Sequence, residues 1–224
     1  MKQLTREAIA SMTDSTLLSA NATVQQIEEL CSEAKRLGFK AVVVNPCQVA
    51  RAKSFLGDTP VKLGSVVGFP LGQSTIAAKL FEAKGAIDDG ANEIDYVINV
   101  TELKDGNTDY IADEMKQIVA LCRARDAVSK VIIETCFLTV KEIEAVCEIA
   151  RNVRPTFVKT STGFGTGGAT VENIRIMRRI VGDHVRIKAS GGIGSLETFS
   201  AMVNAGADRI GTSHAAEIIA QADR

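Results

Sequence analysis

The chain has no tryptophan, only 4% aromatic residues and two histidines among 224 residues. Neither sign of charge is in excess, with 26 Lys and Arg against 27 Asp and Glu. A phosphate-backbone footprint and base-stacking platforms are therefore both lacking, which argues against a nucleic-acid partner. His184 and His214 stand in unrelated positions and are too few for most histidine-based metal or triad chemistry, so no metal is expected. Five cysteines, Cys31, Cys47, Cys122, Cys136 and Cys147, are odd in number and never spaced C-x-x-C. That pattern fits reduced thiols better than a disulfide frame or a zinc site. No window approaches a membrane span, and Lys2, Arg6 and Glu7 break up residues 1–10, where a secretory signal needs an apolar segment. A cytoplasmic protein with no membrane partner is expected.

Apolar material is ample, since 46% hydrophobic residues in a chain of this length can bury a full core. It comes in a regular alternation. Short β-type runs at 12–18, 41–45, 61–67, 93–99, 130–135, 156–159, 185–189 and 208–211 are each followed by a helical pattern, at 23–37, 48–56, 74–89, 108–124, 140–152, 170–181, 195–204 and 213–220. The run 41–45, nearly all apolar and stopped by Pro46, reads as a parallel strand covered on both faces. Strand-then-helix repetition requires parallel strands with right-handed crossovers, and eight units in ~200–250 residues is the economy of a closed (β/α)8 barrel. The expectation is an α/β fold, one TIM-barrel domain over 1–224. An open doubly wound sheet is the alternative, but no G-x-G-x-x-G follows the first strand. The glycine-rich turns instead follow strands six and seven, where barrels hold phosphate.

The densest chemistry lies in residues 156–168. Lys159 ends a β-type run at a position that normally holds a core side chain, and a cluster of Ser, Thr and Gly follows at once. An ammonium there must be paired, neutral or desolvated, and the cluster can present backbone N–H groups to an anion. Asp95 and Lys188 similarly interrupt the fourth and seventh strands. Three ionisable residues near one barrel rim form a candidate catalytic constellation. Neighbouring strands ~4.8 Å apart let the two amines approach to ~4–5 Å, where an effective dielectric near ~20 gives about 3–4 kcal/mol of repulsion. At ~1.4 kcal/mol per pKa unit the first deprotonation falls by ~2–3 units, which yields a free nucleophilic amine near neutrality. A simple Lys188–Asp95 salt bridge with Lys159 snorkelling to the rim is the alternative.

At these residues the chain resembles the deoxyribose-phosphate aldolases, class I aldolases built on this barrel, over nearly its whole length. The matching segments include Asp14-Ser15-Thr16-Leu17-Leu18, Gly68-Phe69-Pro70-Leu71-Gly72, Glu93-Ile94-Asp95-Tyr96-Val97-Ile98-Asn99, Lys130-Val131-Ile132-Ile133-Glu134-Thr135, Phe157-Val158-Lys159-Thr160-Ser161-Thr162-Gly163-Phe164 and Lys188-Ala189-Ser190-Gly191-Gly192-Ile193. The resemblance implies a lyase that reversibly cleaves 2-deoxy-D-ribose 5-phosphate to D-glyceraldehyde 3-phosphate and acetaldehyde, with no organic cofactor. It implies that Lys159 forms the Schiff base, Lys188 tunes it and Asp95 moves protons. Thr162, Gly163, Gly191, Gly192, Gly211 and Ser213 would hold the phosphate, while Asp14 and Thr16 would line the sugar pocket. A small phosphosugar is the expected ligand and a homodimer the expected assembly.

Four features depart from that pattern. Gly194 and Phe164 stand where members of the family carry a basic residue, leaving the phosphate to backbone N–H groups and Ser213 and predicting weaker discrimination against the unphosphorylated sugar. Ser15 replaces a larger residue of the pocket, and Val43 stands where relatives carry a cysteine. The last residues, Gln221-Ala222-Asp223-Arg224, offer no tyrosine of the kind some members carry in a C-terminal tail. Two rival functions share much of the site: a Schiff-base aldolase with a different donor, and a phosphosugar-binding barrel without chemistry.

Overall fold

The computed structural model describes residues 4–222. Asp223 and Arg224, on which the expectation of a tail without tyrosine partly rests, lie outside them. Eight strands, β1 (Thr13–Leu17), β2 (Ala41–Val44), β3 (Lys62–Val67), β4 (Glu93–Val97), β5 (Val128–Ile132), β6 (Phe157–Lys159), β7 (Arg186–Ser190) and β8 (Arg209–Thr212), follow one another in sequence order around a closed barrel. Every pairing is parallel, including the closing pair of β1 with β8. Closure leaves no sheet edge and excludes the doubly wound alternative.

Each strand is followed by a helix on the outside: α2 (Val24–Leu37), α3 (Val49–Leu56), α4 (Ile76–Asp88), α6 (Thr108–Ala124), α7 (Val140–Val153), α8 (Val171–Val181), α9 (Leu196–Ala205) and α10 (Ala215–Ala222). Two short helices, α1 (Arg6–Ser11) and α5 (Val100–Lys104), complete the set of ten among the described residues. Local chemistry sets the ends. Thr23 with Gln26 and Thr139 with Glu142 form reciprocal capping boxes that satisfy the free N–H groups opening α2 and α7.

Strand residues alternate between two packed layers. Val42, Val44, Ile94, Tyr96, Val131 and Ile187 join the apolar layer between sheet and helices. Their strand neighbours Val43, Val66, Val97, Ile132 and Phe157 are equally buried but lie outside that cluster, within the barrel. One ion pair occupies the helix layer. Lys79 on α4 donates to Glu114 Oε1 of α6 at 2.5 Å and to the Val97 carbonyl at 2.8 Å, while Glu114 Oε2 accepts the Asn99 N–H at 3.1 Å.

Departures from the sequence expectation include two short helices and two element boundaries. Both α1 and α5 are too short for an apolar periodicity to reveal them. The fifth strand runs from Val128 to Ile132 and does not reach Thr135. Beyond it, Glu134 takes a left-handed conformation at φ 52° and opens a 3-10 turn over Thr135–Phe137, because its carboxylate is drawn to the loop after β6. The last helix starts at Ala215, so Ser213 precedes it by two residues and does not cap it.

Candidate active site

Within the barrel the period of two places Glu93 and Asp95 of β4, Lys130 of β5, Lys159 of β6, Lys188 of β7, Arg209 of β8 and Asp14 of β1 in mutual contact. Asp95 is the hub. Its Oδ2 accepts from Lys159 Nζ at 2.9 Å and from Lys188 Nζ at 2.7 Å, and its Oδ1 accepts from Lys130 Nζ at 2.6 Å. Lys188 also donates to Asp14 Oδ2 at 2.5 Å, Lys130 pairs with Glu93 at 2.6 Å, and Arg209 bonds Asp14 Oδ1 at 2.7 Å. The network thus sets four basic groups (Lys130, Lys159, Lys188, Arg209) against three carboxylates (Asp14, Glu93, Asp95). With Lys159 neutral the count becomes three against three. Lys159 is also the basic group with the fewest carboxylate contacts, since its single partner oxygen is shared with Lys188.

Burial penalises the charged form of every member, and the neighbours decide each outcome. Burial alone would raise the Asp95 carboxyl, yet Lys130, Lys159 and Lys188 hold it well below its ordinary value. Asp14 is likewise pushed up by burial and pulled down further by Lys188, Lys130 and Arg209. For Lys130 the three carboxylates outweigh burial and keep the ammonium firmly charged. Lys159 goes the other way. Burial lowers its pKa first, Asp95 opposes, and Lys188 adds to the fall, leaving the amine at about 8. Roughly one molecule in ten then carries the free amine at pH 7, against about one in 10^3 or fewer for an ordinary lysine. The expected cause is therefore corrected in order: desolvation leads and the like-charged neighbour follows, because a carboxylate oxygen stands between the two amines.

Above this floor opens a cavity of about 450 Å³. Its wall includes Thr16, Lys159, Thr162, Gly163, Gly191, Gly192, Gly211 and Ser213, all of them expected site residues, together with Phe164, Gly194 and His214. The turn after β7 and the loop after β6 meet backbone to backbone. Gly191 adopts φ +84°, and a Cβ on Gly168 would lie 2.1 Å from the Gly191 carbonyl oxygen, so neither position accepts a side chain. Gly211 has a different constraint, since a Cβ there would come within 2.9 Å of Lys188 Cε. The glycine clears the path by which Lys188 reaches Asp95. Phe164 meets Phe69 of the β3–α4 loop edge-on, with ring centroids 5.3 Å apart.

Asp95 and Lys188 are fully buried beneath the cavity and outside its wall. Asp14 is there too, and its expected place beside the sugar is corrected. It shares the inward face of β1 with Thr16, but two residues earlier, about 6–7 Å deeper along the strand. Ser15 alternates to the other face and is absent from the cavity wall, so it does not set pocket size.

The sequence expectations did not include Lys130, Glu93, Arg209 or Glu134 as site residues. Glu93 could have been found by stepping two residues back from Asp95, and Lys130 is the register partner of Asp95 on the next strand. Glu134 carries no such signal. Its carboxylate accepts the Thr162 N–H at 3.2 and 3.3 Å and also the Thr162 hydroxyl, fastening the loop that follows Lys159. Among the described residues no group of three or more His, Cys, Asp or Glu side chains is arranged to hold a metal ion.

A family profile described as "DeoC/LacD family aldolase" matches residues 6–216. The chain is 50% identical over 212 residues to a deoxyribose-phosphate aldolase of Thermoanaerobacter sp., covering 94% of this chain and 95% of the relative. A deoxyribose-phosphate aldolase of Lactobacillus acidophilus is 48% identical, with 96% and 90% covered. The tetrameric deoxyribose phosphate aldolase of Aeropyrum pernix superposes with a TM-score of 0.91 at 34% identity, covering 97% of this chain and 92% of that one. A buried amine with its pKa lowered to about 8, set among three carboxylates and three other basic groups, and a profile match spanning nearly every strand and helix lead to one conclusion: the chain belongs to the DeoC/LacD family of aldolases.

Proposed function

We propose that this enzyme reversibly cleaves 2-deoxy-D-ribose 5-phosphate to D-glyceraldehyde 3-phosphate and acetaldehyde through a Schiff base on Lys159, in the catabolism of deoxyribose phosphates. The observation that carries it is the placement of Lys159 Nζ: in the cavity wall, 2.9 Å from an Asp95 oxygen that also accepts from Lys188, with a pKa lowered to about 8.

The neutral amine adds to the C1 aldehyde of the open sugar, and loss of water leaves a protonated imine. Removal of the 3-hydroxyl proton lets the C2–C3 bond break. Its electron pair flows into the imine, releasing glyceraldehyde 3-phosphate and leaving an enamine on Lys159. Protonation at C2 and hydrolysis then return acetaldehyde and the free amine. Each step moves a proton, and Asp95, flanked by the Lys188 ammonium, is the nearest group to relay it, directly or through water. Lys188, held by Asp95 and by Asp14 from below, balances the carboxylates beneath the imine on Lys159. Thr16 contacts the sugar, while Thr162, Gly163, Gly191, Gly192, Gly211 and Ser213 receive the phosphate.

Sodium borohydride reduction in the presence of acetaldehyde should fix a two-carbon adduct on Lys159, read by peptide mass analysis, with Lys159→Ala and Lys188→Ala run in parallel. Absence of an adduct while a phosphosugar still binds would favour a non-catalytic barrel. No described helix is long and apolar enough to cross a membrane, and the proposed setting is the cytoplasm. The proposed assembly is a homodimer, in contrast with the Aeropyrum tetramer, and light scattering after size exclusion distinguishes the two.

A further inference from the structure

The wall of the 450 Å³ cavity holds no carboxylate among the described residues and only two basic side chains, Lys159 and His214. Lys159 ends β6 at the floor, whereas His214 follows β8 and lies beside Ser213 and Gly194. A Cβ built on Gly194 would sit 3.6 Å from His214 Cδ2, so the imidazole borders the very space a side chain from position 194 would enter. The ring turns its Nδ1 edge to Glu217, 3.8 Å away on the first turn of α10, too far for a hydrogen bond. The Cδ2–Cγ side of the ring lies nearest Gly194, and Nε2 is the ring nitrogen that does not face Glu217. The His214 backbone N–H is already committed to Thr212 Oγ1 at 3.0 Å, so the side chain is what this residue has left to offer a ligand. Its side chain is 57% exposed.

We infer that His214 is a specificity-determining residue: its Nε2–H donates to the phosphate of the substrate at the glycine-lined end of the cavity. This rests on the phosphosugar reading above and revises the expectation that only backbone N–H groups and Ser213 hold that phosphate. A donor on an imidazole adds a charge-assisted hydrogen bond whenever the ring is protonated and an ordinary one otherwise. Because the ring lies away from Lys159, its removal should act on phosphate recognition and leave the chemistry at the amine alone.

Two measurements test this. In the first, kcat/KM is compared for 2-deoxyribose 5-phosphate and 2-deoxyribose in wild type, His214→Phe and His214→Arg. The preference for the phosphorylated sugar should fall on the order of tenfold in His214→Phe, through KM, and be kept or raised in His214→Arg. An unchanged preference, or an equal loss on both sugars, overturns the inference. The second needs no catalysis. The chain has only two histidines, and His184 stands just ahead of β7, at the opposite end of the barrel. On titration with inorganic phosphate the His214 imidazole resonance should shift in a saturable way while that of His184 stays. A static His214 signal overturns the inference even if the proposed reaction is correct, and failure to cleave the sugar while His214 still answers phosphate counts against that reaction instead.

Discussion

Lys79 and Lys159 are both buried lysines, yet the structure uses them differently. Lys79 lies between α4 and the sheet with Glu114 as its own partner at 2.5 Å and the Val97 carbonyl at 2.8 Å. Burial lowers its pKa and raises that of Glu114, so each member is pushed toward neutrality and held back by the other. Lys159 shares one carboxylate oxygen with Lys188 and opens onto a cavity. Desolvation makes either amine easier to deprotonate. Only surroundings whose carboxylates are already matched by other cations, and space for a carbonyl carbon beside it, turn such an amine into a nucleophile.

The comparison breaks most visibly at Lys159 itself. Lys159→Ala should lower kcat by about 10^4-fold or more and abolish the borohydride adduct, while circular dichroism stays that of the folded barrel; appreciable residual turnover would remove the amine from the mechanism. Lys79→Met should do the reverse. Leaving Glu114 buried and unpaired costs about 3–5 kcal/mol, a fall in Tm on the order of 10 °C by calorimetry, with kcat of the folded fraction nearly unchanged. Replacing Glu114 by Leu as well should recover part of the loss.

A pH profile sharpens the contrast further. The reactive form is the neutral amine and its pKa is lowered from 10.5 to about 8, so kcat/KM should rise roughly tenfold from pH 7 to 9 and flatten above. Lys188 pushes that pKa down, so Lys188→Met should move the midpoint of its residual activity to higher pH; a wild-type midpoint near that of a free lysine would sink the assignment. The smallest effect is expected at Glu134. A Gln there keeps one acceptor for Thr162 in place of two, and KM should rise about fivefold or less with kcat little changed.

Much of the barrel was legible because each strand carries its own apolar run and each helix its own face and cap. The expected strands overlap all eight observed ones, and Lys159, Lys188 and Asp95 stood out as charges inside apolar runs. Other parts needed the fold. Glu93, Lys130 and Arg209 gave the sequence no signal as a group, because they come from three strands and meet only when the sheet closes. Asp14 was placed beside the sugar, but its depth along β1 puts it under the cavity. Residues 133–135 read as strand, yet the carboxylate of Glu134 is claimed by Thr162, 28 residues away, and that contact overrides the local β preference.

By itself, then, the sequence determined the order of strands and helices, the parallel pairing that such an order requires, and the identity of the lysine with its hydroxyl and glycine-rich loop. Those follow from spacing and from the conformational range of each residue, which are local properties. The tertiary structure alone decided that one carboxylate oxygen serves two amines, that four basic groups face three acids, and that His214 borders the glycine-lined end of the cavity. Charge balance and desolvation depend on distances between residues far apart in the chain, and only the closed barrel sets those distances.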